Sequence, residues 1–113
     1  MLVVEDSPIL ALEYETLLKE NGYGVVGPCS NVEKALVFIL ECKIDVALLD
    51  VHIQDTTSFA IAAKLREKNI PFMFLSGSDG RKDLPEEFLD EAYLTKPSDD
   101  RTILETLERI SLQ

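Results

Sequence analysis

Apolar residues fall along this chain in two alternating patterns: short unbroken runs, and stripes spaced three and four residues apart. The most uniform run is Val46-Ala47-Leu48-Leu49-Asp50-Val51, apolar residues around one carboxylate, with Asp45 just ahead of it. A run without alternation reads as a strand covered on both faces, the pattern of a parallel sheet. An ionised side chain fits such a strand only at its end, and Asp50 stands where the run gives way to His52, Gln54, Asp55 and Thr56. Ligands of open α/β sheets bind outside the carboxyl ends of the strands. Asp50 is therefore a candidate site residue; the alternative is a strand-ending Asp that caps a turn.

The other runs and stripes follow in order. Leu2-Val3-Val4 predicts a first strand, closed by Glu5 and Asp6. Ser7 suits a helix N-cap and Pro8 the first helical position. Leu10, Tyr14, Leu17 and Leu18 then share one stripe, and Asn21-Gly22 stops the helix. Residues 23–27 predict a modest second strand that Pro28 ends. Ser30-Asn31-Val32-Glu33 reads as a capping box for a helix that buries Val32, Leu36, Ile39 and Leu40 and fades near Cys42-Lys43. After the third strand, residues 46–50, the stretch 51–57 reads as a loop. Ser58 is the expected cap of a third helix, with Phe59, Ile61, Ala62 and Leu65 inward and an end near Asn69. Ile70-Pro71-Phe72-Met73-Phe74-Leu75 predicts a fourth strand running out into Ser76-Gly77. Residues 79–90 hold Gly80, Pro85 and many acids, so only a short helix near 86–89 is expected. Ala92-Tyr93-Leu94-Thr95 predicts a fifth strand before Lys96-Pro97. Asp99 or Asp100 caps a last helix that runs to about Ser111 with Ile103, Leu104, Leu107 and Ile110 inward. Alternating β and α units imply a parallel sheet with helices on both faces, and loops at the strand ends then share one edge.

Composition narrows the chemistry. A length of 113 residues suits one domain, 1–113, and 46% hydrophobic residues supply a core. The formal net charge of −10 argues against nucleic-acid binding, which needs a basic patch. It is compatible with a cation such as Mg²⁺ held by carboxylates, and with a partner that presents a basic surface. No apolar run is long enough to span a bilayer and no basic n-region precedes one, so a cytoplasmic protein is expected. Cys29 and Cys42 have no metal-like spacing and read as reduced thiols.

The strand ends deliver a constellation to one edge: Glu5 and Asp6 from the first strand, Asp50 from the third, Ser76 and Gly77 from the fourth, Lys96 from the fifth. Each alone is a turn or cap residue; together they fit phosphoryl transfer to a carboxylate. Two acids can hold Mg²⁺, which also takes phosphate oxygens. A lysine adds a point charge, a hydroxyl and a following Gly amide can donate to phosphoryl oxygens, and a carboxylate nucleophile forms an acyl phosphate.

Val3-Val4-Glu5-Asp6-Ser7, Leu48-Leu49-Asp50-Val51, Leu75-Ser76-Gly77 and Thr95-Lys96-Pro97, in this order and spacing, resemble the receiver domain of bacterial two-component response regulators over essentially the whole chain. The resemblance implies a flavodoxin-like (βα)5 doubly wound sheet of order 2-1-3-4-5. It implies a phosphorylation-dependent switch rather than a turnover enzyme. Asp50 would accept the phosphoryl group from a histidine kinase or phosphotransfer protein. Mg²⁺ would be held by Asp6, Glu5, Asp50 and the backbone carbonyl of His52. Ser76 would be the switch hydroxyl, Lys96 the phosphate-binding lysine and Tyr93 the aromatic switch residue, a two-state element biased by a local charge change. The last strand and last helix would form the face for a downstream partner.

Two departures stand out. His52 lies two residues after the acceptor, where smaller or polar residues are frequent; it is either a solvated loop residue or one that influences the acyl phosphate. Residues 78–90 look short, acidic and mobile where the family usually carries a clear fourth helix. Pro71-Phe72-Met73-Phe74-Leu75-Ser76-Gly77 is similar to a stretch of stand-alone alphaproteobacterial receivers with a reduced fourth helix, although Leu75 and Ser76 differ from it; Phe59, Phe72 and Phe74 also read simply as core. The chain ends about where the last helix should, so it is either a stand-alone receiver or one cut from a longer regulator. The main alternative function is a phosphate-independent interaction module. An Asp-nucleophile phosphatase would need an acid at position 52, and a flavin site would need a phosphate loop that Glu5-Asp6-Ser7-Pro8 does not supply.

Overall fold

Alternate residues of each central strand face opposite sides of one sheet, and each side is closed by its own pair of helices. The computed structural model describes residues 1–77 and 80–112. Its strands are β1 (Leu2–Val4), β2 (Val26–Cys29), β3 (Ala47–Asp50), a small hairpin β4 (His52–Ile53) and β5 (Thr56–Thr57), then β6 (Phe72–Ser76) and β7 (Ala92–Thr95). The helices are α1 (Pro8–Glu20), α2 (Val32–Glu41), α3 (Phe59–Glu67) and α4 (Asp100–Ser111). Five strands form the sheet in the order β2-β1-β3-β6-β7, and every pairing within it is parallel. This is the doubly wound sheet expected from the resemblance, with the order reversal between β1 and β3.

Leu2, Val4, Ala47, Leu49, Phe72 and Phe74 meet Ala35 and Ile39 of α2 and Ile61, Ala62 and Leu65 of α3. Their strand neighbours Val3, Leu48, Met73 and Leu75 meet Tyr14, Leu17 and Leu18 of α1 and Ile103, Leu107 and Ile110 of α4. Burial on both faces explains why β1, β3 and β6 are unbroken apolar runs. The helix ends are also local in origin. Ser7 accepts from the Leu10 N–H with Pro8 at the first helical position, and Asp99 accepts from Thr102 N–H at 2.7 Å.

The structure corrects several local expectations. The second strand lies at 26–29 rather than 23–27 and contains Pro28, which is tolerated because β2 is an edge strand with a register shift against β1. Gly27 makes that irregularity possible: its φ is +95°, and a Cβ there would meet Cys29 N at 2.8 Å. Asn31, not Ser30, caps α2, accepting from Lys34 N–H. Ser58 holds the cap position of α3, yet its hydroxyl is buried without a hydrogen bond. Leu40, expected inward, is 64% exposed because Ala35 and Ile39 take the inward face of α2. The stretch 51–57 is not an open loop but the β4–β5 hairpin, turning at Gln54 and Asp55.

The segment before β7 differs most. Two 3₁₀ turns, Gly80–Asp83 and Glu86–Phe88, stand in place of a fourth helix. The segment is anchored rather than loose. Phe88 is 1% exposed and packs at centroid distances of 5.9 Å from Phe59 and Phe74 and 6.3 Å from Phe72. Leu84 is buried as well. Arg66 of α3 lies over the Phe88 ring, 4.6 Å from its centroid, and pairs with Glu91. The aromatic residues that the sequence places in the core thus bind this segment to α3. Residues 78 and 79, part of the stretch expected to be mobile, lie outside the described residues.

Candidate functional site

The switch in strand order puts the ends of β1 and β3 side by side, and three acids, Glu5, Asp6 and Asp50, gather there. Glu5 follows β1 directly and is buried; its Oε2 accepts from Ser7 N–H at 3.1 Å. Asp6 is exposed, and its Oδ2 accepts from the backbone N–H of Gln54 at 2.8 Å. Asp50 ends β3 with 9% exposure. One carboxylate oxygen from each of Glu5, Asp6 and Asp50 lies within 4.8 Å of the other two.

Lys96, the residue after β7, reaches into this group. Its Nζ donates to Glu5 Oε1 at 2.6 Å and to Asp50 Oδ2 at 3.1 Å. Burial pushes the Glu5 carboxyl above the usual carboxylate range, and the Lys96 hydrogen bond only partly offsets this. Burial also opposes the Lys96 charge, but Glu5 and Asp50 together outweigh it and hold the lysine above its ordinary value. Three carboxylates facing one ammonium leave the cluster with excess negative charge, open to solvent at Asp6. Clustered hard oxygen donors with one open side fit a divalent cation such as Mg²⁺, which keeps several of its waters.

Of the remaining expected residues, Ser76 and Gly77 lie beside Lys96, whereas Tyr93 and His52 make their contacts elsewhere. Ser76 is buried at the end of β6, and its carbonyl accepts from Lys96 N–H at 2.6 Å. Gly77 leaves room beside the lysine stem, a Cβ there falling 3.8 Å from Lys96 Cδ. Tyr93 stands in register with Phe74 and packs, partly buried, against the core on the α2–α3 side. His52 is exposed; its Nε2 lies 2.9 Å from Asp83 Oδ2, so the residue after next from Asp50 touches the segment that replaces a fourth helix.

Two contributors were not foreseen. Gln54, at φ +54°, opens the β4–β5 turn and aims its N–H at Asp6, which fixes the hairpin against the acids. Tyr14, read only as part of a core stripe, lines a cavity of about 150 Å³ with Lys96, Pro97 and Ser98. Burial, countered by Lys96 and reinforced by Glu5 and Asp50, pushes its phenol up to about 12. No sequence signal marks either residue, because Gln54 acts through its backbone and Tyr14 through the α1–α4 packing.

Comparison with known proteins agrees with this geometry. The family model of the response regulator receiver domain matches residues 1–108. An uncharacterized response regulatory protein of Vibrio vulnificus is 31% identical over 114 residues, covering 97% of this chain and 46% of that protein. The positive alginate biosynthesis regulatory protein of Pseudomonas aeruginosa is 31% identical over 122 residues, covering 98% and 46%. This chain therefore spans about half the length of these curated relatives. In fold it is similar to the receiver domain of a Pseudomonas aeruginosa sensor histidine kinase, with a TM-score of 0.86 at 20% identity, covering 99% of this chain and 96% of that one; that structure has a magnesium ion coordinated in its active-site cleft. From the match over nearly its whole length, this chain belongs to the response regulator receiver domains.

Proposed function

We propose that Asp50 accepts a phosphoryl group from a histidine kinase or phosphotransfer protein, and that the chain is a Mg²⁺-dependent signalling switch rather than a turnover enzyme. The observation that carries this reading is the Lys96 ammonium hydrogen-bonded to Asp50 within a cluster that also holds Glu5 and Asp6.

Glu5, Asp6, Asp50 and the backbone carbonyl of His52 would hold the Mg²⁺, which would supply positive charge to offset that on the phosphoryl oxygens. A carboxylate oxygen of Asp50 attacks phosphorus, an Asp50–phosphorus bond forms, and the phosphorus–nitrogen bond of the donor phosphohistidine breaks with its electron pair returning to the imidazole. Lys96 passes from the free carboxylate to a phosphoryl oxygen, while the Ser76 hydroxyl and the Gly77 N–H donate to others. Movement of Ser76 toward the new group, and of the Tyr93 ring with it, alters the face formed by β7 and α4, where a downstream protein would read the state. Exposed Ile9 and Leu12 on α1, which starts beside Asp6, suit docking of the donor.

The test is intact mass after incubation with Mg²⁺ and a small acyl-phosphate donor, and separately with a phosphohistidine-bearing protein donor. One added phosphoryl group, absent from Asp50→Ala and absent without Mg²⁺, is expected. No addition from either donor favours the phosphate-independent interaction module.

A further inference from the structure

We propose that Tyr14 is a positioning residue for Lys96: its phenol oxygen holds the ammonium, through a water between them, while the phosphoryl group is on Asp50. The inference rests on the phosphoryl reading of the site and extends it to a residue outside the acid cluster. Lys96 Nζ donates to Glu5 Oε1 at 2.6 Å and to Asp50 Oδ2 at 3.1 Å. Lys96 also lines the cavity of about 150 Å³ between α1 and the start of α4, together with Glu13, Tyr14, Ser98 and Asp100. An ammonium has three protons. Two go to Glu5 and Asp50, and among the described residues the third has no acceptor. The Tyr14 hydroxyl likewise has no hydrogen bond among the described residues, although the residue is only 8% exposed.

The stripe that Tyr14 shares with Leu10, Leu17 and Leu18 asks only for apolar bulk. A tyrosine there adds one polar atom to the cavity wall, and buried tyrosine hydroxyls usually find a partner. The two groups make no direct bond, so they are joined by what the cavity holds. Its volume is several times the roughly 30 Å³ share of one water. It also offers the two to four polar partners that an ordered water needs: the third Lys96 proton, the Tyr14 hydroxyl, and the side-chain oxygens of Ser98 and Glu13. The phenol stays neutral in this role. Burial pushes it up to about 12 against the pull of Lys96, with Glu5 and Asp50 adding to the rise. A neutral hydroxyl accepts from the bridging water without adding a fourth negative charge to the cluster. The consequence comes when Asp50 is modified. Lys96 then gives up its bond to the free carboxylate and turns to a phosphoryl oxygen. Its flexible four-carbon stem has many rotamers, and a fixed point on the cavity side limits them.

Tyr14→Phe removes one oxygen and keeps the ring. With isotopically labelled lysine, nuclear magnetic resonance is expected to show the Lys96 ammonium exchanging its protons with water roughly tenfold faster in Tyr14→Phe than in the parent, without phosphate present. Phosphorylation of Asp50 by a small acyl-phosphate donor with Mg²⁺ is expected to slow by a similar factor. Thermal stabilisation by Mg²⁺ stays as in the parent, since Tyr14 acts through the lysine and not through the cation. Ile103→Val loosens the same cavity wall without removing a polar atom, and leaves exchange and rate unchanged. In a Lys96→Met background Tyr14→Phe slows phosphorylation no further, as expected of two groups that act as one. Unaltered exchange in Tyr14→Phe, an equal effect of Ile103→Val, or a full additional slowing in the Lys96→Met background overturns the proposal. The exchange measurement needs neither phosphoryl transfer nor the Lys96 variant. It therefore decides on the link between Tyr14 and Lys96 even where Asp50 accepts nothing, an outcome that overturns the phosphoryl reading instead.

Discussion

Lys96 Nζ lies 2.6 Å from Glu5 Oε1, an ion pair between the ends of the first and last strands of the sheet, deep enough that the glutamate side chain is 1% exposed. The pair shapes the site before any ligand arrives. It leaves Lys96 more basic than usual, while at Glu5 the cost of burial outweighs the pull of the lysine and leaves the carboxyl less acidic.

In the absence of Mg²⁺, Glu5→Gln is expected to flatten the dependence of stability on pH. A carboxyl whose folded pKa is raised favours folding most fully below its unfolded value of 4.5, and that advantage is lost as pH rises through the folded value. The amide has no charge to desolvate, so urea denaturation of Glu5→Gln across mildly acidic to neutral pH should show a smaller decline than the parent.

Adding Mg²⁺ should stabilise the folded chain by mass action, by about 2.7 kcal/mol at a hundredfold excess over its dissociation constant. Asp6→Asn should lose most of this gain while folding normally without metal, since Asp6 is exposed. Thermal unfolding with and without Mg²⁺ and a chelator measures both effects. Equal stabilisation of parent and Asp6→Asn would remove Asp6 from the metal site.

Phe88→Ala should cost about 3–5 kcal/mol, the range for truncating a fully buried aromatic. The ring touches Phe59, Phe72 and Phe74 and carries Arg66 on its face, so its loss opens the core on the α2–α3 side. Backbone amides of 84–89 should be protected from hydrogen exchange in the parent without phosphate and lose that protection in the variant. Rapid exchange there in the parent would contradict the anchoring.

The His52–Asp83 contact predicts a local effect instead. Both side chains are about half exposed, so removing either should change global stability by under about 0.5 kcal/mol. His52→Ala and Asp83→Asn should each speed amide exchange in 80–83 and leave 84–89 unaffected. Equal protection in all three proteins would mean that the contact holds nothing in place.

The two thiols should separate cleanly. Burial pushes the Cys29 thiol up to about 11, while Cys42 is exposed at the end of α2. Iodoacetamide at mildly alkaline pH should therefore add one group, at Cys42, until the protein is unfolded. The same raised values make alkali destabilising. Above the unfolded thiol value of 9.0 the unfolded chain sheds a proton that folded Cys29 keeps up to about 11, and Tyr14 extends the effect to about 12.

Much of this molecule was determined locally, and those parts were legible in the sequence. Leu48-Leu49-Asp50 had to be a strand buried on both faces with its charge at the end, because no other placement covers the leucines and spares the carboxylate. Ser7-Pro8 and Asp99 start helices through bonds within one turn of themselves. The alternation of such units brings Glu5, Asp6, Asp50, Ser76 and Lys96 to one sheet edge whatever the details of packing. The tertiary structure decided what depends on two distant segments at once. Whether residues 80–91 are loose or anchored turns on Phe88 finding Phe59, Phe72, Phe74 and Arg66. Whether Leu40 is core turns on which side of α2 meets the sheet. The placement of Pro28 within β2 depends on that strand being at an edge, and the grip of Gln54 on Asp6 depends on a backbone N–H that carries no side-chain signature. Periodicity records which residues need burial; which partners bury them is set only when the strands and helices are assembled.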